Sequence, residues 1–253
     1  EDYLGSNINT KYHEGLASFD NEGNMYISRE SFYENEYVKD PESNNITSLI
    51  GIYKISKGDK NVVALNINSV EYSVKNPSLS SDGKSIYFSS DMPGGYGNFD
   101  IYKGELDSLG NVNNIKNLGQ KINTEGQEMF PYVCCDKILY FSSDAHLGLG
   151  GLDVFYTKPI DGKWTNPRNV GIPVNSNADD FAFILTEECE DGFVSSNRSG
   201  GKGSDDIYAV KKLLPLCDIL FTTNIIDSKT KESISSATRT EQIVNHNIIF
   251  FML

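Results

Sequence analysis

The chain has 253 residues, 38% of them hydrophobic and 11% aromatic, which is enough to bury the core of one repeat-built domain or two ordinary ones. Its formal net charge is −13 and its basic residues form no stripe, so we expect no nucleic-acid partner. No run of about eighteen apolar residues occurs, so we expect no membrane span in this chain.

The first strands are predicted between residues 14 and 56. EGLASFDNEGNMYISRE reads as two strands joined by a polar turn, and GIYKIS reads as a third. Between them lies the insert Glu30 to Leu49, which we interpret as a loop too long for a plain connection. Long loops tend to be functional or disordered, so three aromatic residues of the insert are candidate binding residues: Phe32, Tyr33 and Tyr37.

Three further copies of this pattern follow, each opening with a hairpin. Their first two strands lie in NPSLSSDGKSIYF, FPYVCCDKILYF and FAFILTEECEDGFV. Asp82-Gly83 is a strong hairpin signal because these residues tolerate the positive φ that a two-residue turn needs. The third strands, DIYKGEL, DVFYTKP and DIYAVKK, are rich in residues that suit a pleated sheet.

The second and third strands of these copies are joined by a repeated Gly-rich phrase. FSSDMPGGYGNFDIY, FSSDAHLGLGGLDVF and VSSNRSGGKGSDDIY start at positions 88, 141 and 194, at intervals of 53. A second phrase, here called the tag, ends each copy and is marked by Asn9, Asn68, Asn123 and Asn175 at intervals of 59, 55 and 52. Repeats of this length with four strands each are typical of propeller blades.

The sequence therefore predicts an all-β fold, a β-propeller of four four-stranded antiparallel blades over residues 1–213. Two alternatives stay open: the ring closes at four blades, or one blade of five is missing. If it closes, the strand around Tyr3 to Ser6 is expected to pair with the last blade. After Leu214 the repeat stops, and residues 214–253 are predicted to be the truncated start of a β-sandwich domain.

Cysteine and histidine spacing argues against a metal site. Cys134, Cys135, Cys189 and Cys217 include no CxxC pair, and half-buried thiols are favoured, with a disulfide from Cys189 to Cys134 or Cys135 as the alternative. His13-Glu14 begins a near miss to HExxH that lacks the second histidine. His146 lies in a polar loop, where a solvated side chain is expected.

The Gly-rich loops allow two readings. GGYGNFD and GGKGSD are similar to a calcium-binding repeat, but that repeat needs copies every nine residues, so we favour a structural role. In the structural reading, the glycines permit a tight connection and an aspartate caps each turn through backbone hydrogen bonds: Asp100, Asp153 and Asp206. Nine residues earlier, at the same point of every copy, framework residues bracket each loop: Asp91, Asp144 and Asn197. Other side chains of these loops are candidate partner contacts: Met92, Tyr96, His146, Arg198 and Lys202.

Residues 10–212 resemble TolB-type WD40-like repeats, and more closely the propellers of Bacteroidetes OmpA-family envelope proteins. The phrases that carry the resemblance are PSLSSDGKSIYFSSDMPGGYGNFDIY, INTEGQEMFPYV, LYFSSDAHLGLGGLDVF, VNSNADDFAFI and SSNRSGGKGSDDIY. The resemblance implies a periplasmic or outer-membrane-associated protein, with one relative in type IX secretion. It also implies a carboxypeptidase-regulatory-like sandwich after the propeller, and IIDSKTKESISSAT resembles the opening of that sandwich. Peptidoglycan binding is implied only through a later domain.

The expected function is non-catalytic binding. No nucleophile elbow or converging acid–base group is visible, so we expect no enzyme activity, no cofactor and no metal. The expected partner is a protein or glycan at the cell envelope. The alternative is an accessory propeller of a hydrolase, a peptidase whose catalytic domain lies outside this chain.

Overall fold

The computed structural model describes residues 8–9, 13–30, 38–39, 46–59, 61–134, 137–186, 188–213, 229–231 and 249–252. Within these residues nearly all regular structure is β, and four antiparallel four-stranded sheets form a ring. The predicted all-β propeller with four blades is confirmed.

Each blade runs outward from the axis in four strands. Blade 1 contains β1 (Glu14–Phe19), β2 (Met25–Glu30), β5 (Ile50–Ile55) and β6 (Val62–Ala64). Blade 2 contains β7 (Val74–Leu79), β8 (Ser85–Ser90), β9 (Asp100–Leu106) and β10 (Val112–Asn117). Blade 3 contains β11 (Glu128–Val133), β12 (Leu139–Ser143), β13 (Asp153–Thr157) and β16 (Arg168–Asn169). Blade 4 contains β17 (Asp180–Leu185), β18 (Asp191–Ser196), β19 (Asp206–Leu213) and β20 (Ile249–Met252).

Two short hairpins complete the described strands. One, β14 (Pro159–Ile160) with β15 (Lys163–Trp164), lies inside blade 3. The other, β3 (Val38–Lys39) with β4 (Ile46–Thr47), lies inside the insert that the sequence predicted as a loop. This pairing was not predicted because the surrounding sequence is polar and rich in asparagine, which gives no strand signal. Phe32, Tyr33 and Tyr37 lie outside the described residues, so their binding role stays a prediction.

The innermost strand of every blade carries a bulge. The register of β1, β7, β11 and β17 against its neighbour shifts within the strand. In three of them the bulge holds a residue with positive φ: Asn76, Phe130 and Ala182. A bulge bends a strand and sharpens its twist, which lets all four inner strands curve around the axis.

The core lies between blades rather than at the centre of one. The aromatic side chains of Tyr26, Tyr87 and Tyr140 occupy the same place in blades 1 to 3, are at most 6% exposed, and face the next blade. Tyr140 packs on Phe183 of blade 4 with ring centroids 4.9 Å apart. Each sheet therefore buries its apolar faces only by stacking on a neighbour, as repeat architectures require.

The fourth strand of blade 4 comes from an unexpected part of the chain. Residues 249–252 pair antiparallel with Val210 to Leu213 of β19, although IIFFML matches no repeat in the sequence. The predicted strand around Tyr3 to Ser6 lies outside the described residues, as does most of 214–253, so the predicted second domain stays a prediction.

A disulfide joins blades 3 and 4. It links Cys134, just after β11, to Cys189, in the turn between β17 and β18. The sequence favoured half-buried thiols, and this preference is wrong for these two residues. The stacking of blades 3 and 4 brings the two cysteines together, although they are 55 residues apart in sequence. Cys135 and Cys217 lie outside the described residues.

Candidate functional site

The Gly-rich loops of blades 2, 3 and 4 form one end of the ring, here called the loop face. They connect the second and third strands of these blades and span residues 91–99, 144–152 and 197–205. Gly94 and Gly200 have φ of 93° and 97°, a conformation that residues with a side chain rarely adopt. The opposite end carries the hairpins between first and second and between third and fourth strands.

An aspartate closes each loop from its C-terminal side. Asp100 accepts hydrogen bonds from the N–H groups of Tyr96 (2.6 Å) and Gly97 (3.2 Å), and Asp153 accepts from Leu149 (2.7 Å) and Gly150 (2.9 Å). Asp206 accepts from Lys202 (2.8 Å) and Gly203 (3.0 Å). These contacts are those of a turn-capping residue, because they satisfy backbone donors that no strand pairs.

The residue that opens each loop contacts the start of its own blade. Asp91 accepts from Ser73 N (2.7 Å) and Asp144 from Gln127 N (2.8 Å). Asn197 accepts from Asp179 N at 2.8 Å. All six repeated positions are therefore engaged with backbone groups of the fold, and they do not converge on one point.

The tag asparagines join consecutive blades. The side-chain amides of three tag asparagines bind both the N–H and the C=O of one third-strand residue, at distances of 2.8 to 3.0 Å. The pairs are Asn68 with Ile52, Asn123 with Ile101, and Asn175 with Val154. We call this contact the asparagine clamp. The residue before each asparagine, Ile67, Ile122 or Val174, is buried in the core of the same junction.

Two predicted binding residues belong to this junction. His146 Nε2 lies 2.8 Å from Ile122 O, and its ring packs between Phe141 and Phe155 at centroid distances of 5.8 and 5.2 Å. The expectation of a solvated His146 is wrong, because the tag that ends blade 2 covers it. Its role in binding a partner stays untested.

Arg198 is held in the same way in blade 4. Its guanidinium donates to Pro173 O (2.9 Å) and Val174 O (2.5 Å) and pairs with the fully buried carboxylate of Asp180. Sequence reasoning placed this arginine in a loop but could not show that a neighbouring tag supplies its acceptors.

The remaining predicted contacts divide between the core and the surface. Met92 packs against the core between blades 1 and 2. Tyr96 is 43% exposed, and Lys202 is exposed.

Three exposed apolar side chains of the loop face were not singled out from the sequence. Leu147 is 96% exposed, Ile172 77% and Leu149 49%. Leu147 and Leu149 lie in the loop of blade 3, and Ile172 lies in the tag that Arg198 binds. The signal was present in AHLGLGGL, where Leu147 stands in place of the glycines of the other copies and Leu149 in place of a tyrosine and a lysine.

One carboxylate at this end has a perturbed pKa. Burial raises the pKa of Glu128 above its ordinary value of 4.5, opposed by hydrogen bonds from Thr124 and Ser143. Its oxygens accept from Thr124 N (2.7 Å), Thr124 Oγ1 (2.6 Å) and Ser143 Oγ (2.7 Å), and the side chain is fully buried. A perturbed pKa can mark a catalytic group. Here the carboxylate is turned into the fold, which is the geometry of a structural group.

A central pocket of about 310 Å³ lies among the four inner strands, toward their C-terminal ends. Its wall is mostly apolar and includes Leu16, Phe19, Phe130 and Ile184. Among the described lining residues the only ionisable side chain is Tyr132, whose hydroxyl donates to Leu185 O at 2.7 Å. The pocket can accept an apolar group, and its described wall offers no acid–base pair.

Neither a metal cluster nor a spanning helix is found in the described part of the chain. No three His, Cys, Asp or Glu side chains there are grouped as ligands of one ion. No helix among the described residues has the length and apolar character to cross a membrane.

No protein-family model matches the chain, and no curated protein matches it. Among solved structures it is similar to a gluconolactonase from Xanthomonas campestris, with 11% identity, a TM-score of 0.52, and coverage of 78% of this chain and 56% of that chain. A putative TolB from Agrobacterium tumefaciens has 14% identity and a TM-score of 0.47, with 80% and 78% covered. Prolyl oligopeptidase B from Galerina marginata has 13% identity and a TM-score of 0.46, with 79% and 26% covered. The likeness to the lactonase shows the β-propeller fold, and this chain spans little more than half of that protein.

Proposed function

We propose that this chain is a non-catalytic binding module of an OmpA-family type of cell-envelope protein, and that its loop face takes a protein partner. The observation that carries the proposal is the exposure of Leu147 (96%) and Ile172 (77%) at the junction of blades 3 and 4. Covering such exposed apolar side chains with a partner removes apolar surface from water, which makes the free energy of binding more favourable.

The loops that present these residues are held in one shape. Asp153 caps the loop of Leu147 through two backbone N–H groups, and Arg198 holds the backbone beside Ile172 at Pro173. A preordered loop loses little conformational entropy on binding, so more of the contact energy is expressed as affinity. Tyr96 and Lys202, both exposed on neighbouring loops, extend the proposed surface on either side.

Two features support an envelope location. The sequence phrases resemble envelope propellers, type IX secretion relatives among them, and the Cys134–Cys189 disulfide is a bond that persists in oxidising compartments such as the periplasm. A periplasmic or outer-membrane-associated protein is therefore the context in which we expect the partner.

The proposal is tested by capturing partners from an envelope extract of the source organism. The bait is the immobilised chain, either wild type or with Leu147→Ser and Ile172→Ser together, and quantitative mass spectrometry reads the bound proteins. Leu109→Ser is the matched control, because Leu109 is 82% exposed but lies at the opposite end of the ring. We expect the double variant to lose at least about tenfold of a specific partner, and the control to lose none.

Three results would overturn the proposal. Equal recovery with the double variant would remove the loop face as the site. Saturable binding of envelope glycans with no protein captured would replace the protein partner by a glycan. Esterase or peptidase turnover by the pure chain would replace the binding module by an enzyme and favour the hydrolase alternative.

A further inference from the structure

The face of blade 4 that points away from blade 3 is uncovered, whereas the matching faces of blades 1 to 3 are buried. Phe193 of β18 occupies the place of Tyr26, Tyr87 and Tyr140, yet it is 46% exposed where they are at most 6% exposed. Ile207 of β19 occupies the place of Ile52, Ile101 and Val154, and it is 75% exposed where they are fully buried. Blade 4 therefore presents the apolar half of a blade junction.

The polar half of that junction is vacant as well. Ile207 lies opposite Ser195 in the same register in which Ile101 lies opposite Ser89, so its N–H and C=O point to the free edge of the sheet. Among the described residues no asparagine clamps it, while Asn123 clamps Ile101 at 2.9 and 3.0 Å. The outer strand β20 pairs only with Val210 to Leu213 and leaves the edge at Ile207 open.

The Gly-rich loop of blade 4 gives a third, independent sign of the missing neighbour. A Cβ on Gly150 would overlap the carbonyl oxygen of Ala178, which belongs to the tag turn entering the next blade. A Cβ on Gly203, the matching glycine of blade 4, would meet only Asp205 and Asp206 of its own loop. Gly203 therefore leaves room for the backbone of a following blade to approach closely, but no such backbone lies beside it among the described residues.

The chain carries one tag whose clamp is unused. LGSNIN, residues 4 to 9, matches LGQKIN, residues 118 to 123, at four of six positions, including the final Ile-Asn. Ile8 is 8% exposed and packs on Met25 and Ile27 of blade 1, and Arg29 donates to its carbonyl as Arg198 donates to Val174. Asn9 is half-buried and its side chain makes no hydrogen bond to any described residue.

We propose that Asn9 clamps Ile207 of the same chain and so closes the ring at four blades. In the three existing junctions one tag does two things at once: its aliphatic residue packs on the following blade, and its asparagine binds the third strand of the preceding blade. Ile8 already packs on blade 1, which is the following blade in a closed ring. Among the described third strands, only that of blade 4 has no asparagine bound to it. The unbound Asn9 and the unclamped Ile207 are therefore the two halves of one missing clamp.

The test is amide hydrogen exchange by NMR, residue by residue. Ile52, Ile101 and Val154 are built-in references, since each is clamped in the same register. With closure, the Ile207 amide of the wild-type chain exchanges within about tenfold of the Ile101 rate, and Asn9→Ala accelerates it by at least about tenfold while leaving Ile101 unchanged. Asn123→Ala is the matched control, and it accelerates Ile101 and not Ile207.

Three results would overturn the proposal. Fast exchange of Ile207 in the wild-type chain, or protection that Asn9→Ala does not change, means that Asn9 does not bind there. Protection that appears only with a dimer mass in sedimentation, and that falls on dilution, means that a second copy supplies the asparagine. A monomer with protected Ile207 supports closure within one chain. None of these readouts depends on whether the loop face binds a partner.

Discussion

The two ends of the ring are made from the same strands but from connections of different kinds. At the hairpin end an aspartate caps its own turn: Asp20 accepts from Glu22 N (3.0 Å) and Asn24 N (2.9 Å), and Asp107 accepts from Leu109 N and Asn111 N (both 2.9 Å). At the loop face the connections reach the next blade, as Asn98 N does in donating to Gly126 O at 2.9 Å. Blades are also linked at the hairpin end, by the Cys134–Cys189 disulfide and by the hydrogen bond from Asn21 Nδ2 to Ser81 O (2.9 Å), but there the links come from single side chains. At the loop face the backbone of the loops itself bonds to the next blade.

This difference also decides what each end offers to solvent. The loop face uses its polar groups inside the junctions and leaves Leu147 and Ile172 outside. The cleft at the hairpin end, between blades 1 and 2, keeps its carboxylates at the surface, with Asp20, Glu22, Glu105 and Asp107 along its wall. Both ends expose apolar side chains, since Leu109 at the hairpin end is 82% exposed. The loop face differs in presenting two such side chains, Leu147 and Ile172, beside connections that are bonded to the next blade.

The largest effect that separates the two ends is expected at glycines. Gly150→Ala at the loop face places a Cβ on the carbonyl oxygen of Ala178, so we expect it to lower the free energy of unfolding by about 3 kcal/mol through forced separation of blades 3 and 4. Gly83→Ala in a hairpin has open space and a φ of 67°, so we expect a loss of about 1 kcal/mol from backbone strain alone. Urea unfolding measures both, and equal losses would contradict the cross-blade role of the loop.

A smaller effect is expected at asparagines. Asn175→Ala leaves the buried N–H of Val154 without a partner and removes one of the two hydrogen bonds to its C=O, which still accepts from Val170 N. We expect it to lower the free energy of unfolding by about 2 kcal/mol. Asn111→Ala at the hairpin end removes an exposed contact to Asp107, and we expect a change within about 0.5 kcal/mol. A loss at Asn111 as large as that at Asn175 would show that hairpin turns also govern stacking.

The smallest effect is expected in the dependence of stability on pH, with opposite signs at the two ends. Burial raises the pKa of Glu128 in the folded state, so its contribution is present below the ordinary value of 4.5 and is lost as pH rises through the raised pKa. The Ser80 hydroxyl and then the Lys84 N–H lower the pKa of Asp82 in the folded state. Its contribution is therefore present above the ordinary value of 3.8 and is lost as pH falls through the lowered pKa.

Urea unfolding from pH 3 to pH 8 checks these signs. Relative to wild type, Glu128→Gln is expected to gain stability as pH rises, because it removes a group that resists ionisation in the fold. Asp82→Asn is expected to fall below wild type at neutral pH and to approach it in acid. The same direction of change for both variants would contradict the assignment of one buried and one hydrogen-bonded carboxylate.

The fold was readable from the sequence because its signals are local and repeated. The Asp82-Gly83 hairpin, the strands and the four tags each depend on neighbouring residues, and repetition in four copies identified the blades. The pairing of Ile249 to Met252 with β19 was not readable, since it depends on distant residues that match no repeat. The Cys134–Cys189 disulfide was not predicted for the same reason, since its two cysteines are 55 residues apart in sequence.

The candidate site was readable only in outline. The sequence located the loops but could not show which side chains turn inward. His146 and Arg198 look like surface groups in sequence, and only the tag carbonyls beside them explain their burial. Leu147 looks like a residue that should fold back onto the core, yet the capped loop holds it outward.

The asparagine clamp also bears on how such chains change during evolution. Phe88 and Phe141 begin identical FSSD runs, so the DNA encoding them is a natural place for unequal recombination. The unit from 88 to 140 contains both members of one clamp, Ile101 and Asn123, together with the first strand of the following blade, β11. Duplication or deletion of this unit would insert or remove one complete clamp, and Tyr87 and Tyr140, which occupy the same place in their blades, would exchange roles at the adjoining junction. Blade number can therefore change in a single genetic event without any new kind of contact having to arise.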